Sequence, residues 1–117
     1  MFFKKIISTS ITFFSLSAFS ATDYACVGTE PFWSLNLIKD KVILNDYSKK
    51  VNHTLDVTSR TSATGTSNDY AFVVTTKYST LTFLQGSCND GMSDIEYSHH
   101  VIYKNGSNVL YGCCNKY

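Results

Sequence analysis

The residues of this chain that could do chemistry are its four cysteines, its three histidines and a few carboxylates in segments rich in turn residues. Cys26, Cys88, Cys113 and Cys114 could in principle hold zinc, but no C-x-x-C pair is present to form half of such a site. Joining Cys113 to its neighbour Cys114 would need a strained vicinal ring, so each is expected to reach a distant partner. Two pairings remain: Cys88–Cys113 with Cys26–Cys114, or Cys26–Cys113 with Cys88–Cys114. The first set closes loops worth roughly 3.5 and 4.6 kcal/mol if disulfides act by restricting the unfolded chain. Glu30, Asp90 and Asp94 could converge as a hard-cation or polar-ligand site, although no D-x-D-x-D-G loop is present. Each also has a structural role open to it. Glu30-Pro31 suits a turn that feeds Phe32 and Trp33 into a core, and Asp90-Gly91 suits another. His99 and His100, adjacent in an extended segment, point to opposite faces and cannot chelate one metal together. A cross-strand pairing of His53 with His99 is the remaining metal geometry. No G-x-S-x-G nucleophile motif exists, and oxidised cysteines are no nucleophiles. We therefore expect no enzyme, no catalytic residues, no metal and no cofactor.

The elements that position these groups follow a leader. Lys4 and Lys5 precede an apolar run from Ile6 to Phe19, and Ala18 and Ser20 supply small residues for cleavage after Ser20. The run falls short of the roughly 20 apolar residues that span a bilayer. The first cysteine follows Asp23-Tyr24-Ala25 rather than a lipidation signal, so no stable membrane anchor is expected after cleavage. Residues 21–117 then form one domain in the periplasm or outside the cell, where an even cysteine count reads as two disulfides. Cleavage removes two of the ten basic residues, leaving eight against nine acidic ones and a net charge of −1. The remaining lysines are scattered, which argues against a nucleic-acid partner. A chain this short has a marginal core and gains from covalent staples.

Period-two alternation runs through the domain. Trp33, Leu35 and Leu37 share a face, and Lys39-Asp40 turns that segment into Lys41–Asn45. Val51, His53, Leu55 and Val57 alternate with polar residues, as do Tyr70, Phe72 and Val74, and Lys77-Tyr78-Ser79 leads into Leu81–Leu84. A long loop is expected over Gly86–Asp94, after which Ile95, Tyr97, His99, Val101 and Tyr103 share a face. Asn105-Gly106 is a strong two-residue hairpin signal returning into Val109–Cys113. With a first strand over Asp23–Val27, the count is about eight short strands and no helix: an all-β antiparallel barrel or sandwich. Its Phe, Tyr and Leu content argues for a filled interior.

Three motifs, G-T-E-P-F-W-S at 28–34, C-x-D-x-M-S-D at 88–94 and G-C-C at 112–114, run across the domain. In these the chain resembles a family of uncharacterised bacterial envelope proteins, many of them lipoproteins, described as META-like or small heat-shock-lipoprotein-like. The resemblance implies an exported β domain and pairing of Cys88 with Cys113, hence Cys26 with Cys114; it implies no activity. The chain departs from lipidated members in lacking their anchor signal, and in having Tyr97-Ser98 where they often show Tyr-Pro. The expectation is a monomeric, non-enzymatic binding module of the envelope. Its surface would be Glu30, Phe32, Trp33, Asp90, Met92 and Asp94. Its partner would be an unknown protein of the envelope or host, for example a hydrolase such as lysozyme that it inhibits. The alternatives are a small-molecule or cation carrier and a structural or stress factor without a discrete ligand.

Overall fold

The computed structural model describes residues 22–29, 31–47, 50–92 and 94–117. Residues 1–21, which hold the expected signal peptide, and Glu30, Ser48, Lys49 and Ser93 lie outside the described residues. Eight strands, β1 (Tyr24–Thr29), β2 (Phe32–Ile38), β3 (Lys41–Asp46), β4 (Val51–Ser62), β5 (Ala71–Thr76), β6 (Ser79–Asn89), β7 (Glu96–Asn105) and β8 (Asn108–Lys116), follow one another around a closed antiparallel barrel. Every strand pairs with its sequence neighbours, and β1 closes on β8 with Tyr24 opposite Lys116 and Cys26 opposite Cys114. Closure removes the exposed edges that an open sheet of this length would present. Of the two architectures expected, barrel or sandwich, the barrel is the one formed.

The alternation seen in the sequence becomes the inside and outside of this barrel. Trp33, Leu35 and Leu37 of β2, Val42 and Leu44 of β3, Phe72 and Val74 of β5, Leu81 and Phe83 of β6, and Val101 and Tyr103 of β7 form the buried core. Leu55, Val57 and Leu110 pack against it. Rings meet inside the barrel: Phe72 stacks on its cross-strand partner Phe83 with centroids 4.6 Å apart, and Tyr24 of β1 lies 5.2 and 5.4 Å from the two. Each such ring or branched side chain taken from water contributes about 1.5–3 kcal/mol.

Turns fall close to their expected positions. Lys39-Asp40 joins β2 to β3, with Lys39 at φ 53°. That left-handed backbone is held by the Lys39 amide donating to Asp23 Oδ2 at 3.0 Å, while the next residue's carbonyl accepts from the Val57 amide at 2.8 Å. Asn105 pairs with Asn108, so the two turn residues of the last hairpin are Gly106-Ser107, one position beyond Asn105-Gly106. Gly106 supplies the positive φ of 61°.

Three expectations need correction. Phe32 does not enter the core: it precedes Trp33 on an alternating strand, faces outward and is 53 % exposed. The expected loop over 86–94 starts later than predicted, because β6 continues through a bulge between Gln85 and Cys88 as far as Asn89, leaving residues 90–92 and Asp94 outside the strands. His53 and His99 do not pair. His53 sits opposite Leu44 on β4, whereas His99 is buried on β7 beside Tyr24, 5.1 Å between ring centroids.

Candidate functional site

Adjacent residues of a strand face opposite ways, and β8 uses this to place two disulfides in two layers. Cys114 points inward and bonds Cys26 directly across the β1–β8 seam, with Cα atoms 4.0 Å apart. Cys113 points outward and bonds Cys88, Cα atoms 5.6 Å apart. The strand β7 lies between β6 and β8 in the sheet, so Cys88 reaches Cys113 only because the end of the β6–β7 hairpin bends at its bulge and folds over the outer face of β8. Residues 86–97 thus form an arm laid on the barrel wall. Both sulfurs are buried beneath it, Cys88 at 2 % and Cys113 at 1 % exposure, outside the main core.

The tip of the arm crosses to the β1–β2 turn. Thr29 Oγ1 donates to the Asp90 carbonyl at 3.4 Å, and the small cavity between them, about 70 Å³, is lined by Gly28, Thr29, Asp90 and Tyr111. The tip is braced internally. Asn89 Oδ1 accepts from the Gly91 amide at 2.7 Å, and the Asp90 carboxylate accepts from the Met92 amide at 2.9 Å and from the Tyr97 hydroxyl at 3.3 Å. Burial, then the negative charge of Asp90, pushes the Tyr97 phenol up, so it stays a donor to that carboxylate. Around this frame Met92, Phe32 and Tyr111 are 64 %, 53 % and 55 % exposed.

Of the predicted surface, the fold brings together Phe32, Asp90 and Met92. Trp33 lies inside the wall, 2 % exposed, with its ring against Gly28 and Gly112. A Cβ on Gly112 would stand 2.3 Å from the Val27 carbonyl oxygen and 2.9 Å from the indole, so only glycine fits. Asp94 is exposed, and Glu30 lies outside the described residues. The Asp90 carboxylate is engaged in bracing its own loop, and among the described residues no group of three or more His, Cys, Asp or Glu side chains gathers as for a metal ion.

A second constellation lies at the end of the barrel where β1 begins and β8 ends. An open cavity of about 780 Å³ is lined there by Asp23, Tyr24, Arg60, Asp69 and Lys116, among others. Arg60, the chain's one arginine, follows the β4 bulge between Val57 and Ser59. Its guanidinium lies 4.6 Å from the centre of the Phe72 ring and 5.8 Å from that of Tyr24. Lys116 pairs with Asp69. Beneath them His99 is fully engaged, with Nε2 2.9 Å from the Asp69 carbonyl and Nδ1 2.8 Å from Ser98 Oγ. A carbonyl only accepts, so Nε2 carries a proton. Sequence reading missed this group because its members are scattered from residue 23 to 116 and each is ordinary alone. A single arginine in a Ser/Thr-rich strand was the only pointer.

Set against known protein families, curated proteins and solved structures, the chain matches none, and the family resemblance rests on its three motifs alone. The two disulfides point to an oxidising, non-cytoplasmic location. Among the described residues no helix is long and apolar enough to cross a membrane.

Proposed function

We propose that the chain is an exported, non-enzymatic binding module of the cell envelope, periplasmic or secreted. Its working surface is the arm tip with the adjoining β1–β2 turn, and it engages a protein partner. One observation carries this reading: the arm tip is fastened by a disulfide, by Thr29 and by the Asp90 bracing bonds, yet it turns Met92, Phe32 and Tyr111 to solvent. Rigid loops lose little freedom on association, and exposed apolar side chains supply the buried contact. The described chemistry supports binding over catalysis. Every cysteine is oxidised, His99 is engaged at both ring nitrogens, and His100 Nδ1 pairs with the Tyr111 hydroxyl at 2.6 Å. A hydrolase inhibitor is the most concrete form of such a module.

The test is a photo-crosslinking amino acid placed at Met92 and, separately, at Tyr78, an exposed residue of the β5–β6 turn. In the exporting cells and their medium, a discrete protein adduct is expected at 92 and not at 78. Equal adducts at both positions, or none at 92, would remove the proposal.

A further inference from the structure

The cavity at the β1-start end of the barrel carries hydrogen-bond donors that the fold leaves unused. Tyr24 is 1 % exposed, and its hydroxyl is buried without a hydrogen-bond partner. A hydroxyl in that state is a destabilising feature, because burial without a partner costs about 1–3 kcal/mol. Tyr24 itself lines the cavity, and the charged groups that act on its phenol, Lys116, Asp69, Arg60 and Asp23, line it too. Burial also pushes the phenol up, which keeps its proton in place as a donor.

The two carboxylates there are already committed. Asp69 accepts from Lys116 and from the Ser67 hydroxyl, and Asp23 Oδ2 accepts from the Lys39 amide. Arg60 is left with Nη1 3.7 Å from Asp23 Oδ2, beyond hydrogen-bond range, and with the flat faces of two aromatic rings. Its side chain is 35 % exposed, so part of it is open to solvent at the cavity. What remains is therefore a guanidinium that is ion-paired with Asp23 without a hydrogen bond to it, beside a buried O–H donor without a partner.

The geometry points to a carboxylate-binding site at this end of the barrel, in which Arg60 takes the anion's two oxygens side by side and the Tyr24 hydroxyl donates to one of them. The fork of arginine matches a carboxylate's two oxygens, which a lysine cannot do. Lys116 adds positive charge at the rim. Because the hydroxyl is shut off from solvent, the Arg60 side chain must lift from the rings as the ligand seats. The carboxylate could come from a small organic acid or from the C-terminus of a peptide, and both present the same two oxygens. This site is distinct from the arm tip and stands or falls independently of it.

The test is amide chemical-shift mapping of the oxidised protein titrated with acetate, with acetyl-alanyl-alanine, and with the same dipeptide amidated, all at matched ionic strength in chloride. Saturable shifts at Tyr24, Arg60 and Lys116 are expected with the free carboxylates and not with the amide. Dipeptide binding roughly tenfold tighter than acetate would assign the site to peptide ends, and comparable binding would assign it to small acids. Tyr24→Phe is expected to weaken binding roughly tenfold or more, and Arg60→Gln to abolish it. Tyr24→Phe should also leave the free protein at least as stable as before, since it removes an unpartnered hydroxyl. A hydroxyl with a purely structural role would instead show a lowered melting temperature and no change in titration. No saturable shift with either carboxylate, or equal shifts with chloride, would overturn the assignment.

Discussion

The two disulfides start from neighbouring residues and do different work. Cys114 lies in the core and ties the first strand to the last, directly across the seam at which the barrel closes. Cys113 lies on the outside and holds the folded-back arm to the wall. The inner bond belongs to the cooperative fold, the outer one to a surface feature that the fold carries. One strand with period-two alternation is enough to address both layers, which is how a short chain closes a barrel and shapes a loop from the pair Cys113-Cys114.

The largest effect should come from breaking the inner bond. Replacing Cys26 and Cys114 by alanine is expected to lower the stability read from urea unfolding by about 4.6 kcal/mol, from the loop it closes. Replacing Cys88 and Cys113 should lower it by less than about 3.5 kcal/mol, because the released arm gains freedom in the native state too. Equal losses would erase the distinction.

Next comes Gly112, which shares the inward face of β8 with Cys114. Gly112→Ala would press a methyl group into the Val27 carbonyl and the Trp33 ring. A loss of about 3 kcal/mol is expected, at the upper end of overpacking, with the indole fluorescence shifted because the ring must move. An unchanged protein would show that the seam is looser than described.

Much of this architecture was legible in the sequence. Trp33, Leu35 and Leu37 announced β2 by their spacing, and four cysteines behind a leader announced two bonds. Residue-level reading left both pairings open, and it was the resemblance that favoured the one observed. The arm was not legible. Gly86 to Asn89 read as loop, whereas they continue a bulged strand that pairs with β7 and is tied to β8 by the Cys88–Cys113 bond. Phe32 was misread because a turn proline beside two aromatics looks like an entry to the core, while strand alternation sends only one of them inward. The Tyr24–Arg60–Lys116 group depends on barrel closure, which brings β1, β4 and β8 around one opening, and no local pattern encodes that.

The smallest effect concerns the ion pair that links the end of β8 to the 63–70 loop. The hydrogen bond from Lys116 holds the Asp69 carboxyl below its ordinary 3.8, and Asp69 holds the Lys116 ammonium above its ordinary 10.5. A depressed acid stabilises the fold above its ordinary value and loses that contribution as pH falls through the folded one. The raised base contributes below 10.5 and loses its share as pH rises through its own folded value. Both groups face solvent, so the contribution is small and screened by salt. Asp69→Asn should flatten the acid limb of a stability–pH curve slightly and leave the arm unaffected, as measured by thermal unfolding in low salt.

The most direct test of the division between the layers is amide hydrogen exchange on the Cys88→Ala/Cys113→Ala variant. We expect faster exchange confined to residues 86–97, with β1 to β5 keeping their protection. Exchange that rises throughout the barrel, or an arm as protected as before, would contradict the claim that this disulfide fastens a surface element to a barrel already closed without it.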